Sequence, residues 1–297
     1  FDQNAAALRE AGFRVLQFDH LGRGWSDRPK ARYDADFYDW ELLSLLDALN
    51  IKEPAGFVGL SMGGPIVAEF AVRHPDRVAR VFLFVPAGLD VSGTDGFQAS
   101  LLRTPVLGDW LWRMVGLKTV AGDPQYDEKG LDPGDRLQGD IREQMRYPGY
   151  GRALLQTFRN FHMKDRDETW RALAASRIPV AAVFGDADPT IPVSSAARLS
   201  SLVPEANVTV LEGGDHGLNY KRNKDVSAGL IGWFKQEKSW FAAEVPETLE
   251  AEEEEVSADP LDESLGEFTP QQKQNMPPRE PSVRPCRMSR INISRCL

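Results

Sequence analysis

The stretch Phe57-Val-Gly-Leu-Ser-Met-Gly-Gly64 decides the fold of this chain. Its first four residues, 57–60, form an apolar run with the length of a short β-strand. Glycines follow at once, and the segment Ile66–Arg73 then carries apolar residues at helical spacing. The pattern predicts a strand, a tight turn and a helix in direct succession, with Ser61 exposed on the turn.

The glycines around Ser61 fit the pattern G-x-S-x-G, in which a serine lies on a strained turn between a strand and a helix. We expect Gly59 and Gly63 to remove side chains that would collide across so tight a turn. Gly64 is expected to let the helix approach the sheet. The backbone N–H of Met62, in the first turn of that helix, would point to a place where negative charge can develop.

Outward from this turn, strands and helices alternate along the chain. Short apolar or β-branched runs predict further strands at 13–18, 81–85, 180–184 and 208–211. Helical spacing predicts helices at 2–11, 36–49, 195–202 and 225–238. This alternation is typical of an α/β fold in which helices flank a mostly parallel sheet.

Two regions break this rhythm and divide the chain into four parts. Residues 88–176 contain no convincing strand. Their pattern predicts a helical insertion, with helical stretches at 97–102, 109–115, 136–145 and 152–163. Residues 244–297 contain an acidic run, a later basic block and several prolines, and we expect them to be disordered. The predicted parts are 1–87, 88–176, 177–243 and 244–297.

Composition argues against several classes of protein. The chain has 297 residues, 42% of them hydrophobic, and a formal net charge of −9. An acidic chain is a poor match for sequence-independent nucleic-acid binding, and no run reaches the roughly 18 apolar residues of a transmembrane helix. The two cysteines form no disulfide framework, and no cluster has metal-ligand spacing. Because no nucleotide loop or flavin motif is present either, we expect no cofactor, and no motif indicates a protein partner.

His216 is the predicted partner of Ser61. A serine hydroxyl is a poor nucleophile until a base takes its proton, and that base needs an orienting carboxylate. The chain has four histidines: His20, His74, His162 and His216. Only the last of these follows the final predicted strand, in a glycine-flanked loop, and the order serine, acid, histidine is typical of one fold in particular.

Two aspartates compete for the role of the acid that would orient His216. Asp186 and Asp188 both lie in Gly185-Asp-Ala-Asp-Pro189, directly after a predicted strand. We favour Asp188 because its position further along the loop gives it room to reach the histidine. Asp186 is expected to stabilise the turn. Asp215 is adjacent to the histidine in sequence, and adjacent side chains rarely orient an imidazole well.

These residues resemble the α/β-hydrolase fold superfamily, in its branch with a helical lid. The resemblance runs from Phe1 to about Lys238 and rests on these motifs in order: Asp19-x-x-Gly-x-Gly-x-Ser26, Gly59-x-Ser-x-Gly-Gly64, His74-Pro-Asp-Arg-Val78, Gly185-x-x-Asp188 and Gly214-x-His216. It implies that Ser61 is the nucleophile, His216 the base and Asp188 the acid. The motifs are specific for the fold and the triad but only weakly specific for the substrate.

By the same resemblance, residues 88–176 correspond to a lid that shapes a pocket for the acyl or alkyl part of a substrate. The candidates to line this pocket are Trp110, Trp112, Met114 and Phe158. Packing inside the lid is the role we favour for each of them, and lining the pocket is the alternative.

The resemblance also concerns what precedes Phe1. Members of the superfamily begin with further strands and a His-Gly turn, which supplies a second N–H to the oxyanion. The present sequence starts after that turn, so we expect three strands to be missing from it. A raw sheet edge invites aggregation, and the chain as written is expected to fold poorly or to be inactive.

The sequence supports three hypotheses about function. The one we favour is a serine hydrolase that cleaves a carboxylic ester or similar small acyl substrate through an acyl-enzyme. The second is hydrolysis of a carbon–carbon bond in a vinylogous diketone, which similar proteins perform with the same triad. The third is no enzyme at all, either a binding protein on this fold or an inactive truncated hydrolase. Epoxide hydrolases and haloalkane dehalogenases of this fold need an aspartate nucleophile, and Ser61 argues against both.

Overall fold

A sheet of four parallel strands lies at the centre of the described part of the chain. The computed structural model describes residues 1–93, 96–116, 118, 120 and 142–236. The strands are β1 (Ala55–Leu60), β2 (Val78–Phe84), β3 (Val180–Gly185) and β4 (Asn207–Leu211), and they lie in the order β1-β2-β3-β4. Each neighbouring pair is parallel, as the alternation of strands and helices predicted.

Burial on both faces explains why the central strands read as continuous apolar runs. Every residue of β3 is buried, and so are the last four residues of β2, Val81 to Phe84. Strands buried in this way need helices on both faces of the sheet.

The described helices lie before, between and after the strands, and those at 167–175 and 218–221 were not predicted from the sequence. They are α1 (Asp2–Glu10), α2 (Ala35–Ala48), α3 (Gly63–Arg73), α4 (Phe97–Arg103), α5 (Leu107–Leu111), α6 (Tyr150–Asn160), α7 (Asp167–Ala175), α8 (Ser194–Leu202), α9 (Leu218–Lys221) and α10 (Asn223–Lys235). A π-helical turn, Trp112–Gly116, continues α5, and a short 3-10 turn, Pro75–Arg77, leads into β2. Local sequence sets some of these ends: the Asp34 carboxylate accepts the N–H of Phe37 and so caps α2.

One predicted strand is wrong. Residues 13–18 have no regular secondary structure, although their apolar side chains pack against the core. A strand needs a neighbour that completes its ladder of backbone hydrogen bonds. None of the four strands pairs with this segment, so its aromatic and β-branched residues serve packing and not sheet formation.

Between β2 and β3 the described residues include helices α4 to α7. The helix predicted at 109–115 is divided between α5 and the π-helical turn. Most of the helix predicted at 136–145 lies outside the described residues, and so does the predicted disordered tail, 244–297. The division of the chain into core, lid and tail stays a prediction. Among the described helices, none combines the length and the apolar character that crossing a membrane requires.

Candidate active site

Ser61 lies on the turn between β1 and α3, and its backbone is strained. Its φ is +50°, in the left-handed region that residues other than glycine rarely adopt. The N–H of Ser61 donates to the carbonyl of Phe84, the last residue of β2, at 2.9 Å. The Ser61 carbonyl accepts the N–H of Gly64 at 2.9 Å and that of Ala87 at 3.0 Å. The neighbouring strand and the segment after it therefore hold the strained turn in place.

Two of the three glycines around Ser61 are required by close contacts. A Cβ at Gly59 would lie 2.5 Å from the carbonyl oxygen of Gly63, and a Cβ at Gly64 would lie 2.6 Å from the Cβ of Pro86. Both clashes agree with the tight turn and close helix packing that the sequence predicted. The same prediction for Gly63 is wrong, because a Cβ there would meet no atom within 4 Å. Position 63 begins α3 and faces open space.

The structure brings Ser61, His216 and Asp188 together in one chain of hydrogen bonds. His216 Nε2 lies 3.0 Å from Ser61 Oγ, and His216 Nδ1 lies 2.8 Å from Asp188 Oδ2. An ionised carboxylate can only accept a hydrogen bond, so Nδ1 carries the proton that faces Asp188. In a neutral imidazole, Nε2 is then left as an acceptor for the serine hydroxyl. The arrangement can therefore take the proton from Ser61.

Asp188 is buried, and three N–H groups donate hydrogen bonds to its carboxylate. Its side chain is 0% exposed and that of His216 is 5% exposed. Besides His216 Nδ1, the backbone N–H groups of Thr190 and Ile191 donate to Oδ1 at 2.7 and 2.9 Å. A buried carboxylate is costly unless it is hydrogen-bonded. The two backbone bonds offset that cost and leave Oδ2 directed at the histidine.

The other two acid candidates have partners elsewhere. Asp186 Oδ1 accepts the N–H of Gly213 at 2.7 Å, so this side chain bonds to the loop that carries His216 and not, as the sequence predicts, within its own turn. Asp215 forms an ion pair with Lys221 at 2.5 Å. Within the described residues, no three His, Cys, Asp or Glu side chains are grouped so that they could hold a metal ion. The carboxylate that contacts the histidine is the one favoured from the sequence.

Two of the remaining histidines pair with carboxylates. His20 Nδ1 lies 2.7 Å from Glu41 Oε2, and His74 Nε2 lies 3.0 Å from Asp39 Oδ1. Glu41 was not among the residues predicted from the sequence; it is only 2% exposed and also accepts the backbone N–H of Leu21. The signal that could have found it is its position at helical spacing among the buried apolar residues of α2.

Met62, the predicted oxyanion donor, stands immediately before α3. Backbone N–H groups at a helix N-terminus have no carbonyl partner within the helix, and they lie at the positive end of its dipole. The Met62 side chain packs against a buried cluster that includes Tyr38 and Ile66. The backbone of Met62 thus lies at the N-terminus of α3, and its role as an oxyanion donor stays a prediction.

The four pocket candidates differ in their surroundings. Trp110 and Met114 are each 57% exposed. Trp112 donates its indole N–H to a backbone carbonyl of α6 at 2.7 Å. A guanidinium of α4 lies 5.0 Å from the centre of the Phe158 ring. Trp112 and Phe158 therefore contact other helices between β2 and β3. The role of all four side chains in a pocket stays a prediction.

Comparisons with known proteins indicate the family of this chain. A family model described as alpha/beta hydrolase fold matches residues 1–222. A 2-hydroxymuconate semialdehyde hydrolase from Pseudomonas sp. (strain CF600) is 31% identical over 201 residues, which cover 66% of this chain and 68% of the relative. A non-heme haloperoxidase from Rhodococcus erythropolis is 26% identical over 253 residues, which cover 79% and 87%. Among solved structures, an esterase from Exiguobacterium antarcticum matches with a TM-score of 0.62 at 18% identity, over 79% of this chain and 86% of that one.

The chain belongs to the alpha/beta hydrolase fold family. Its fold is the one that the sequence motifs predicted, and a hydrolase is similar to it over two thirds of its length. These relatives are named for different activities, so their names do not decide the reaction of this chain. That reaction has to be inferred from its own site.

Proposed function

We propose that this chain is a serine hydrolase that cleaves a carboxylic ester or a similar small acyl substrate. The observation that carries the proposal is the continuous path from Ser61 Oγ through His216 to Asp188, with contacts of 3.0 and 2.8 Å. The φ of +50° at Ser61 also supports the proposal, because it indicates backbone strain. Such a conformation costs on the order of 1–3 kcal/mol. Strained residues of this kind cluster at active sites.

The first half of the proposed reaction forms an acyl-enzyme. Ser61 Oγ attacks the carbonyl carbon of the substrate while His216 Nε2 takes the hydroxyl proton. Asp188 holds the Nδ1–H and stabilises the imidazolium that results. The tetrahedral intermediate then collapses, the bond to the leaving alcohol breaks, and His216 gives its proton to the departing oxygen. An ester between the acyl group and Ser61 remains.

The second half releases the acid with water as the nucleophile. His216 Nε2 takes a proton from the water, whose oxygen attacks the acyl carbon. The bond to Ser61 Oγ breaks, the proton returns to that oxygen, and a carboxylic acid leaves. In both halves, negative charge develops on the carbonyl oxygen. The N–H of Met62 is the proposed donor to it, a contribution that is typically worth about 10²–10³ in rate.

A second candidate is hydrolysis of a carbon–carbon bond in a vinylogous diketone. The observation that favours it is the 31% identity to a 2-hydroxymuconate semialdehyde hydrolase. The same three residues would serve, but the leaving group is then a carbon atom that must be protonated. Initial rates on p-nitrophenyl esters and on a ring-cleavage dienoate separate the two candidates, because only the second substrate tests the carbon–carbon step.

Labelling with a fluorophosphonate probe tests the serine hydrolase proposal itself. The probe phosphonylates an activated serine, and peptide mass spectrometry locates the adduct. We expect label at Ser61 in the full-length protein and none in its Ser61→Ala variant. Ser201→Ala, which removes an exposed serine of α8, is the matched control and should label as the wild type does. A wild-type chain that folds but stays unlabelled would contradict the proposal and favour a non-catalytic protein.

A further inference from the structure

Two loops carry the acid and the histidine, and they leave the sheet side by side. β3 and β4 are parallel neighbours whose last residues are in register. The acid loop, residues 185–191, and the histidine loop, residues 211–218, therefore start at the same edge of the sheet. The 2.8 Å contact between Asp188 and His216 joins one loop to the other. Its length depends on how the two loops are held together.

The backbones of the two loops are in direct contact. A Cβ on Gly185 would overlap the carbonyl oxygen of Gly214, so the two chains meet at glycines. That carbonyl accepts the N–H of Ala187 at 3.0 Å. Gly213 has a φ of +64°, a left-handed conformation that favours glycine. The two loops therefore meet at Gly214, two residues before His216, and at Gly185 and Ala187, which precede Asp188.

Asp186 contributes a side chain to this junction. Its Oδ1 accepts the N–H of Gly213 at 2.7 Å, while its own N–H donates to the carbonyl of Leu211 at 3.3 Å. A bond from a backbone N–H to a carboxylate is short and roughly twice as strong as a neutral one. Asp186 is exposed, so the bond acts on the placement of the loops and not on core packing.

We propose that Asp186 is a positioning residue, which clamps the histidine loop to the acid loop and so sets the contact between Asp188 and His216. The inference rests on the proposed function, because that contact matters only if the triad is catalytic. Asp186 acts through the backbone of Gly213 and takes no proton itself. Without the clamp the exposed loops can separate, and a displacement of about 1 Å in a catalytic group can cost on the order of 10²-fold in rate.

Steady-state hydrolysis of p-nitrophenyl acetate by the full chain measures the effect. Asp186→Ala is expected to lower kcat by about ten- to a hundredfold and to leave KM within about twofold, because misplacement weakens transition-state interactions more than substrate binding. Asp186→Asn keeps an oxygen that accepts the Gly213 N–H, so we expect it to restore kcat to within about threefold of wild type. Asp47→Ala is the matched control: it removes an exposed aspartate of α2 that pairs with Arg77, and it should leave both constants unchanged.

Hydrogen–deuterium exchange at the Gly213 amide gives a readout that needs no activity. We expect faster exchange in Asp186→Ala and nearly wild-type exchange in Asp186→Asn. Unchanged exchange or an unchanged kcat in Asp186→Ala overturns the clamp. A loss of kcat in Asp186→Asn as large as the loss in Asp186→Ala overturns it as well. Absence of fluorophosphonate label at Ser61 in the wild type would instead defeat the proposed function, so the two failures are distinguishable.

Discussion

The indole N–H of Trp170 donates to the carbonyl oxygen of Gly88 at 3.1 Å, and the Trp170 side chain is fully buried. Gly88 comes shortly after β2, whereas Trp170 lies in α7, the last helix before β3. The bond therefore joins the two ends of the region between these neighbouring strands. A Cβ at Gly88 would lie 3.1 Å from the Trp170 ring, so the ring packs directly on the backbone.

Replacing Trp170 with alanine should lower the free energy of unfolding by more than the loss of its hydrogen bond alone would. Trp170→Ala is expected to lower the free energy of unfolding by about 3–5 kcal/mol, since it leaves a cavity. Trp170→Phe should cost only about 0.5–1.5 kcal/mol, because one hydrogen bond is lost while the Gly88 carbonyl keeps the N–H of Arg166 as a donor at 2.9 Å. Urea denaturation measures both values. The control Trp110→Ala removes a side chain that is 57% exposed and should change stability by no more than about 0.5 kcal/mol. A similar cost for the two alanine variants would contradict the packing described.

Gly59 and Gly63 form a matched pair around Ser61. Gly59→Ala drives a Cβ towards the Gly63 carbonyl, so we expect a loss of about 1–3 kcal/mol in stability and slower fluorophosphonate labelling of Ser61. Gly63→Ala places its Cβ in open space at the start of α3. Because alanine also favours helix, that variant should equal or slightly exceed the wild type in stability. If both variants impair labelling equally, the steric account of the turn fails.

Asp188→Asn tests the acid of the triad. An amide can present its N–H₂ to His216 and favour the wrong imidazole tautomer, so kcat on p-nitrophenyl acetate should fall by a factor on the order of 10⁴. Adding Ser61→Ala to this variant should cost far less than it costs the wild type, because the residues act as a unit. Asp215→Asn, which alters the ion pair with Lys221, should lose far less activity. Comparable losses in the two asparagine variants would argue against Asp188 as the acid.

Stability should decline at alkaline pH because a buried tyrosine resists ionisation. Burial raises the pKa of Tyr33 from 10.0 to about 12, and its hydroxyl donates to the carbonyl of Pro29 at 3.0 Å. The unfolded chain then gives up this proton at a lower pH than the folded chain does. The free energy of unfolding therefore falls as pH rises from about 10 towards 12. Denaturation at stepped pH should show a shallower decline in Tyr33→Phe, and an identical slope would refute this origin.

The parts of the site that local sequence controls were predictable. The strand, turn and helix around Ser61 follow from apolar spacing and glycine content over a few residues. Asp188 and His216 needed chain order as well, since neighbouring parallel strands deliver the loops that follow them to one edge of the sheet. For these three residues, the contacts found in the structure are those that the sequence led us to expect.

Features that depend on a distant neighbour were not predictable. Residues 13–18 have the composition of a strand, but strand formation depends on a pairing partner that the segment itself does not encode. The space opposite Gly63 and the hydrogen bond between Asp186 and Gly213 are likewise properties of the folded chain. Glu41 is buried on a helix face that otherwise reads as apolar, and its partner is far away in sequence.

The turn that carries Ser61 depends on the sheet, because the backbone hydrogen bonds of Ser61 run to Phe84 of β2 and to Ala87 shortly after it. If the β1–β2 ladder frays, Ser61 is released to relax towards an ordinary backbone angle, and its hydroxyl swings away from His216. Reactivity should then vanish on heating before circular dichroism records any loss of helix. Labelling of Ser61 would then report on the integrity of the sheet, and we expect thermal inactivation and global melting to be two separate events.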